Sequence, residues 1–485
     1  MSNDRPAPQP ARRGSRLLPR LSTAAVLILL IRGGCGHGGS APAADDEGAA
    51  SGAPDLVLVM AGGLRSGAFD GAEEAFIGGL GAEPTHRFTA AYCQSLAPLT
   101  SLVSVLSGRY PSAVPFCGLH SGTAEPDARL WCTRLPTDRH YLPGVLAAYG
   151  YQSALFTTGL AGADVVDGLF GHTEVLAGAG EDVPWEQLGR AAADWWTGAA
   201  ASPRLLVIVV ADMGLEQHMA FTPAEGAATV VDETGKRHRV IEAAGALPAY
   251  VEVAGGVGQH LGEVVRGLDA SDRPRWMAAT SLHGLSVGER TGTADANDGQ
   301  IAWQLGHLAH HIILDRTVHV PLVLFAPGGG RAQIVTTPTE LVDLYPTFLA
   351  LAGAAPSSGL PGEDVLAPVA GSDQTAFVEF GDMLALRSGN HLLTFRAYVP
   401  DRSSLDPEIT DRMLFESIDG EKYSLSEVAT DPLQLRNQVH GQWATTLQLR
   451  QQVIGIRQGI GAPPAGTLDS GRVRELRLNA REGYW

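Results

Sequence analysis

The stretch Phe88–Pro111, FTAAYCQSLAPLTSLVSVLSGRYP, has the frame of a loop that delivers a catalytic nucleophile into a helix. The position where the nucleophile is expected reads Pro98, which has neither a nucleophilic atom nor a backbone N–H but suits the first turn of a helix. Thr100 and Ser101 follow at once, and hydroxyls at a helix start cap free N–H groups. Cys93 lies five residues before Pro98 and is expected to be buried. Farther on, Cys117 and Cys132 bracket the polar loop GLHSGTAEPDARLW, which an oxidising compartment would allow them to close as a disulfide. The four cysteines show no C-x-x-C spacing, so a structural zinc site is not expected.

Elements that could position this loop recur along the chain. DLVLVM (Asp55–Met60) reads as a buried strand closed by a glycine loop, and QSALFTT, RLLVIVVAD, RWMAATS and VPLVLF repeat the compact apolar run. Helical patterns alternate with them. In WEQLGRAAADWW the residues Leu188, Ala191, Ala192 and Trp195 fall on one face, and YVEVAGGVGQHLGEVVRGL gives a longer helix. This alternation predicts an α/β architecture, a large mostly parallel sheet sandwiched between helices. Beyond LPGEDVLAP the pattern changes to short strands with a turn at RSGN, then a helix at LQLRQQVIGIRQG. That predicts a small C-terminal α+β subdomain with an antiparallel sheet.

Composition limits the function classes. The chain has 485 residues, a hydrophobic fraction of 45% and a formal charge of −17, enough for a large core and unsuited to a nucleic-acid partner. The N-terminus carries five arginines before the apolar run LSTAAVLILLI and then RGGC, which predicts an export signal. Cys35 resembles a bacterial lipoprotein cleavage site, although Arg32 stands where such sites want an aliphatic residue. The expected organisation is a signal over 1–35, a linker over 36–53, an α/β domain over 54–370, the subdomain over 371–460 and a tail over 461–485. The expected location is the periplasm or cell surface, with membrane contact only through a lipid anchor at Cys35.

From residue 54 to about 460 the motifs resemble the sulfatases of the alkaline phosphatase superfamily. PDLVLVMAGGL, FTAAYCQSLAPLTSLVSVLSGRYP, GYQSAL, RLLVIVVADMGLEQHMAFTP, AATSLHGLSVGE, HHIILDRTVHVPLVLFAPGG, TELVDLYPTFLALAGA and EKYSLSEVATDPLQLRNQV follow in the family's order. The resemblance implies a hard divalent cation, usually calcium, held by an acidic pair after the first strand and by an aspartate in a later turn. It also implies a nucleophile at a helix N-terminus, an arginine four residues later, and histidines that assist proton transfer.

Matched to these positions, the chain departs from the pattern. The acidic pair falls on Gly62 and Gly63, the turn aspartate on Leu282, the nucleophile on Pro98 and the arginine on Leu102. Calcium needs several oxygen ligands, and a nearby acid such as Asp70 or Asp212 would have to substitute, although their loops give no special reason to expect it. Thr100 or Ser101 would be a displaced nucleophile, yet each residue turns a helix by about 100°, which aims a displaced hydroxyl elsewhere. His218, His283 and His311 keep basic positions of the pattern. His218 would serve catalysis; His283 and His311, with it, would suit zinc or persist as hydrogen-bonded remnants.

The sequence therefore leads us to expect an exported, sulfatase-like protein with a degenerate site and no bound cofactor. Its partner would be a glycan, an anionic small molecule or another protein. The rival expectation is a divergent sulfuric- or phosphoric-ester hydrolase that uses a divalent metal, calcium by family resemblance or zinc by its histidines.

Overall fold

The computed structural model describes residues 52–460 except for 68–70, 115–134, 136–140, 179–180, 212, 214–227, 232–236, 241–245, 269–272, 286–312, 356–358, 368–374, 381–382, 397–415, 419–420, 432–433 and 435. Cys35, Asp70, Cys117, Cys132, Asp212, His218 and His311 lie outside the described residues. Among the described residues, no helix is long and apolar enough to cross a membrane.

The chain opens with β1 (Asp55–Ala61), α1 (Ala72–Gly79), β2 (His86–Tyr92) and α2 (Pro98–Ser107). It continues with α3 (Leu142–Ala147), β3 (Gln152–Thr158), β4 (His172–Ala177), α4 (Trp185–Gly198) and β5 (Arg204–Val210). A hairpin of β6 (Ala228–Val231) and β7 (Arg237–Val240) precedes α5 (Ala246–Arg266) and β8 (Arg275–Ser281). Then come α6 (Asp315–Val318), β9 (His319–Phe325), β10 (Gln333–Val335), β11 (Thr339–Glu340) and α7 (Leu344–Leu351). The last group is β12 (Thr375–Phe380), β13 (Met383–Ser388), β14 (His391–Arg396), β15 (Glu416–Ile418), β16 (Glu421–Glu427) and α8 (Trp443–Gly459).

The main sheet runs β10-β2-β9-β8-β1-β5-β3-β4, with β11 also paired to β2. Every pairing is parallel except those of β9 with β2 and β8. β1 is central and every residue of it is buried, so its side chains alternate between two cores. Leu56, Leu58 and Met60 join the cluster that holds α2, α3 and α7; Val57, Val59 and Ala61 join the one that holds α1, α4 and α5. Helices cover both faces, as a mostly parallel sheet requires. On α5, an ideal Cβ at Gly258 would lie 2.2 Å from the carbonyl oxygen of Phe76, so glycine there lets α5 close on α1.

The smaller sheet, β12-β13-β14-β16-β15, is antiparallel throughout and packs Phe377, Leu386 and Phe395 with Leu449 and Val453 of α8. The turn read at RSGN joins β13 to β14, with Gly389 at φ 54°. One helix face differs from expectation. α4 buries Leu188, Ala192 and Trp196 at strict i, i+4, i+8 spacing, while Trp195 is only half-buried. The reason lies in the neighbouring strand, since Arg204 places its guanidinium 3.8 Å above the Trp196 ring.

Candidate functional site

The carboxyl ends of the parallel strands gather the positions singled out above: Gly62 and Gly63 after β1, Pro98 after β2, and Leu282 and His283 after β8. In open α/β sheets this edge is where ligands bind. Its construction begins with Gly62, whose N–H donates to the Val210 carbonyl at 2.7 Å. An ideal Cβ on Gly62 would lie 2.0 Å from the Ala211 carbonyl oxygen. Real Cβ atoms do not approach a backbone so closely, so the loop after β1 is closed against β5 in a way that only glycine allows. Gly63, at φ 80°, donates its N–H to the His283 carbonyl at 3.0 Å.

Neutral donors and acceptors knit the two loops together. Leu282 N–H donates to the Ala61 carbonyl at 2.8 Å. The Ser281 hydroxyl lies 2.6 Å from the Ala61 carbonyl and 2.7 Å from that of His283, and accepts from Leu64 N–H at 3.1 Å. Tyr250 on α5 donates its hydroxyl to the Gly63 carbonyl at 2.9 Å and accepts from Arg65 N–H at 2.8 Å. Ser281 and Tyr250 were not legible as site residues in the sequence, because an isolated hydroxyl in an apolar run carries no motif.

Leu282 is 0% exposed and belongs to the same apolar cluster as Leu96, Leu102 and Ala211. Leu282 and Leu102, which the sequence resemblance matched to an aspartate and an arginine, thus lie in one core. His283 is also buried, at 4% exposure. Its Nδ1 donates to the Gly284 carbonyl at 2.9 Å, which puts the proton on Nδ1 and the lone pair on Nε2. Burial pushes its pKa below the ordinary histidine value, so the ring is neutral at pH 7. The turn that carries it is closely packed, since a Cβ on Gly284 would meet the Arg316 carbonyl oxygen at 2.2 Å.

α2 begins at Pro98 with Ala97 as its N-cap and no side-chain cap. The capping expected of Thr100 and Ser101 is not how Ser101 is used. Ser101 is buried and donates its hydroxyl to the Ser95 carbonyl at 2.7 Å, pinning the preceding loop. Thr100 is half-buried in the first turn. Leu102, Val103, Val105 and Leu106 are all 0% exposed, so α2 is a central helix held by packing on more than one side. Cys93 is buried as a free thiol, and burial pushes its pKa up to about 12, which leaves it unreactive at neutral pH.

A charged group does stand at this edge, at α6 and the start of β9. Asp315 Oδ1 accepts from Arg387 Nε of β13 at 2.9 Å, and Oδ2 lies 3.6 Å from His319 Nδ1. His319 stacks on Tyr92 with ring centroids 5.0 Å apart. Burial alone would raise the Asp315 carboxyl, but its contacts with His319 and the Arg387 guanidinium hold it below the ordinary value. The i, i+4 spacing of Asp315 and His319 was the available signal for this cluster.

These positions do not fit a calcium ion. Gly62 has no room for a carboxylate, Leu282 offers no donor atom, and Asp315 is already bonded by Arg387. Among the described residues, no group of three His, Cys, Asp or Glu side chains is placed to hold a metal.

Comparison with known proteins decides the family. The Sulfatase family profile matches residues 54–354. The chain belongs to the sulfatase family. The YidJ sulfatase of Escherichia coli K12, itself uncharacterised, is 31% identical over 127 residues, which cover 25% of this chain and 21% of that protein. A solved structure of BT4656 in complex with its substrate D-glucosamine-2-N,6-O-disulfate superposes with TM-score 0.59 at 12% identity, over 86% of this chain and 100% of that one. The structure of Ps i-CgsB in complex with k-i-k-neocarrahexaose gives TM-score 0.53 at 14% identity, over 88% and 98%. At such identities the structural likeness concerns the fold. Of the positions that the sequence resemblance matched to the family pattern, Gly62, Gly63, Pro98, Leu102, Leu282 and His283 lie among the described residues.

Proposed function

We propose that this sulfatase-family chain is an exported, non-catalytic binding protein that takes a glycan or other anionic ligand at the carboxyl edge of its main sheet. The observation that carries the reading is the 2.0 Å approach of the Ala211 carbonyl to the place a Gly62 side chain would occupy. A site that neutralises a sulfate or phosphate ester through a cation needs carboxylates around it, and here the backbone has closed over that position. Pro98 supplies no attacking atom, and Ser101 spends its hydroxyl on Ser95. What this chain's residues still do is orient: α2 directs the positive end of its dipole to the same edge. The ligand class comes from relatives, since BT4656 and Ps i-CgsB are both described with sugar ligands bound.

The test pairs binding with turnover. D-Glucosamine-2-N,6-O-disulfate is titrated calorimetrically into the protein while released sulfate is followed by ion chromatography. Saturable binding without sulfate release is expected. Multiple-turnover release would establish the rival ester hydrolase, for which Thr100 is the remaining hydroxyl of the first turn and His218 and His311 the further candidates. Absence of binding to that sugar and to a sulfated-glycan panel would remove the glycan reading. Export is checked separately: the mature N-terminus, read by mass spectrometry, is expected at Cys35 and to carry lipid, with processing blocked by globomycin.

A further inference from the structure

On the face of the main sheet that carries α4 and α5, a hollow of about 240 Å³ opens where the chain enters α4. Glu181 and Asp182 line it and are exposed, Trp185 and His260 lie beside them, and Met213 and Val257 supply an apolar wall. Trp185 stacks on His260 with ring centroids 4.8 Å apart and the planes 16° from parallel, so one aromatic plate bridges α4 and α5. His260 Nδ1 lies 3.5 Å from Glu263 Oε2, which puts a third carboxylate next to the plate.

The described lining contains no lysine or arginine, and neither do residues 179–180, 212 and 214–227, which adjoin it in sequence. Glu181 accepts from the Gly178 N–H at 2.8 Å, which fixes its carboxylate at the entry. Carboxylates beside an aromatic plate attract a cation in two ways, by charge and through the negative face of the ring. A net charge of −17 acts in the same sense at longer range. The molecule uses this chemistry once with a cation of its own, for Arg204 stands 3.8 Å over the Trp196 ring and bonds Asp55. Those groups are buried, whereas Glu181 and Asp182 face solvent, so a cation at Trp185 comes from outside the chain.

We propose that this hollow binds a small organic ammonium ion, with its charged head between the two carboxylates and the Trp185 ring and a short apolar body along Met213 and Val257. The volume is below that of drug-sized sites, which limits the ligand to about ten heavy atoms. An inorganic cation gains nothing from the apolar wall, so the organic body is what the site selects. A cation is the opposite of the ligand proposed for the carboxyl edge, and the two readings stand or fall separately.

Phenethylammonium titrated calorimetrically into the full chain at low salt tests this, with phenethyl alcohol as the neutral analogue and the ammonium ion as the head alone. One-site binding of phenethylammonium is expected, about tenfold or more tighter than either control. Trp185→Leu keeps an apolar side chain but removes the ring, and is expected to weaken binding about fivefold. Asp182→Lys reverses a charge at an exposed position, and is expected to weaken binding at least about fivefold while leaving the urea midpoint unchanged. Equal affinity for phenethyl alcohol, no saturable binding at millimolar probe, or unchanged affinity in Asp182→Lys would each overturn the proposal.

Discussion

The two ends of β1 solve the same problem in opposite ways. At the amino end, Asp55 is fully buried and Arg204 meets it with Nε, Nη2 and its own backbone N–H. The Arg204 guanidinium is satisfied further by the Trp196 carbonyl at 2.7 Å and by the Trp196 ring. At the carboxyl end stand Gly62, Gly63 and Leu282, in loops tied together by backbone groups and by the hydroxyls of Ser281 and Tyr250. The difference is where the counter-charge comes from. Arg204 is part of the chain, whereas a carboxylate cluster after β1 would depend on a diffusible cation. Without that cation, each buried carboxylate costs several kcal/mol, so the cluster is stable only complete or absent. On the reading proposed above, Leu282 and Leu102 in one core correspond to complete absence.

Breaking the amino end should give the largest effect. Asp55→Ala leaves Arg204 buried and uncompensated, and an equilibrium urea titration is expected to show a loss of about 3–5 kcal/mol. Restoring charge at the carboxyl end comes next. Gly62→Asp must push back the Ala211 carbonyl, and a loss of about 2–4 kcal/mol is expected, with no gain in thermal stability from millimolar calcium. A calcium-dependent rise in its Tm would show that the edge can still form a cation site.

A third test sharpens the comparison at the joint between the two sheets. Glu340 is buried, accepting from Tyr110 Oη and Phe377 N–H, both at 2.6 Å, and burial beside Asp343 pushes its pKa up from 4.5 to about 8. The folded protein therefore holds a proton that the unfolded chain releases. The stability this contributes is fully present below about pH 4.5 and is lost as pH rises through about 8. Asp343, likewise raised by burial, adds to the same slope. Glu340→Gln is expected to flatten stability over that window in urea titrations at stepped pH. His283 acts in the other direction, since its lowered pKa means stability is lost as pH falls below 6.5.

The smallest effect is expected from Ser101→Ala. It removes one hydrogen bond to Ser95 and should cost about 1 kcal/mol, with binding of sulfated sugars unchanged. A loss of sulfate release on this substitution, in a protein that does release it, would return Ser101 to the chemistry.

Much of the fold was legible because apolar runs and their helical partners are dictated by burial on both faces of a parallel sheet. The direction of β9 was not, since VPLVLF is continuous and reads the same in a parallel or antiparallel strand. Nor was Trp196 as the buried tryptophan, because its selection depends on Arg204 in the next strand. At the site, the sequence showed Gly62, Gly63 and Leu282 where the family resemblance implies acids. The closure of Ala211 over Gly62 and the hydroxyls of Ser281 and Tyr250 that hold it needed coordinates, for they join residues far apart in sequence.

The central claim is that the carboxyl edge has been rebuilt without a cation. Plasma mass spectrometry of the protein, purified without chelator or histidine tag, tests it most directly. The account predicts calcium and zinc well below one ion per chain in a fully folded protein; one tightly held calcium or zinc per chain would contradict it.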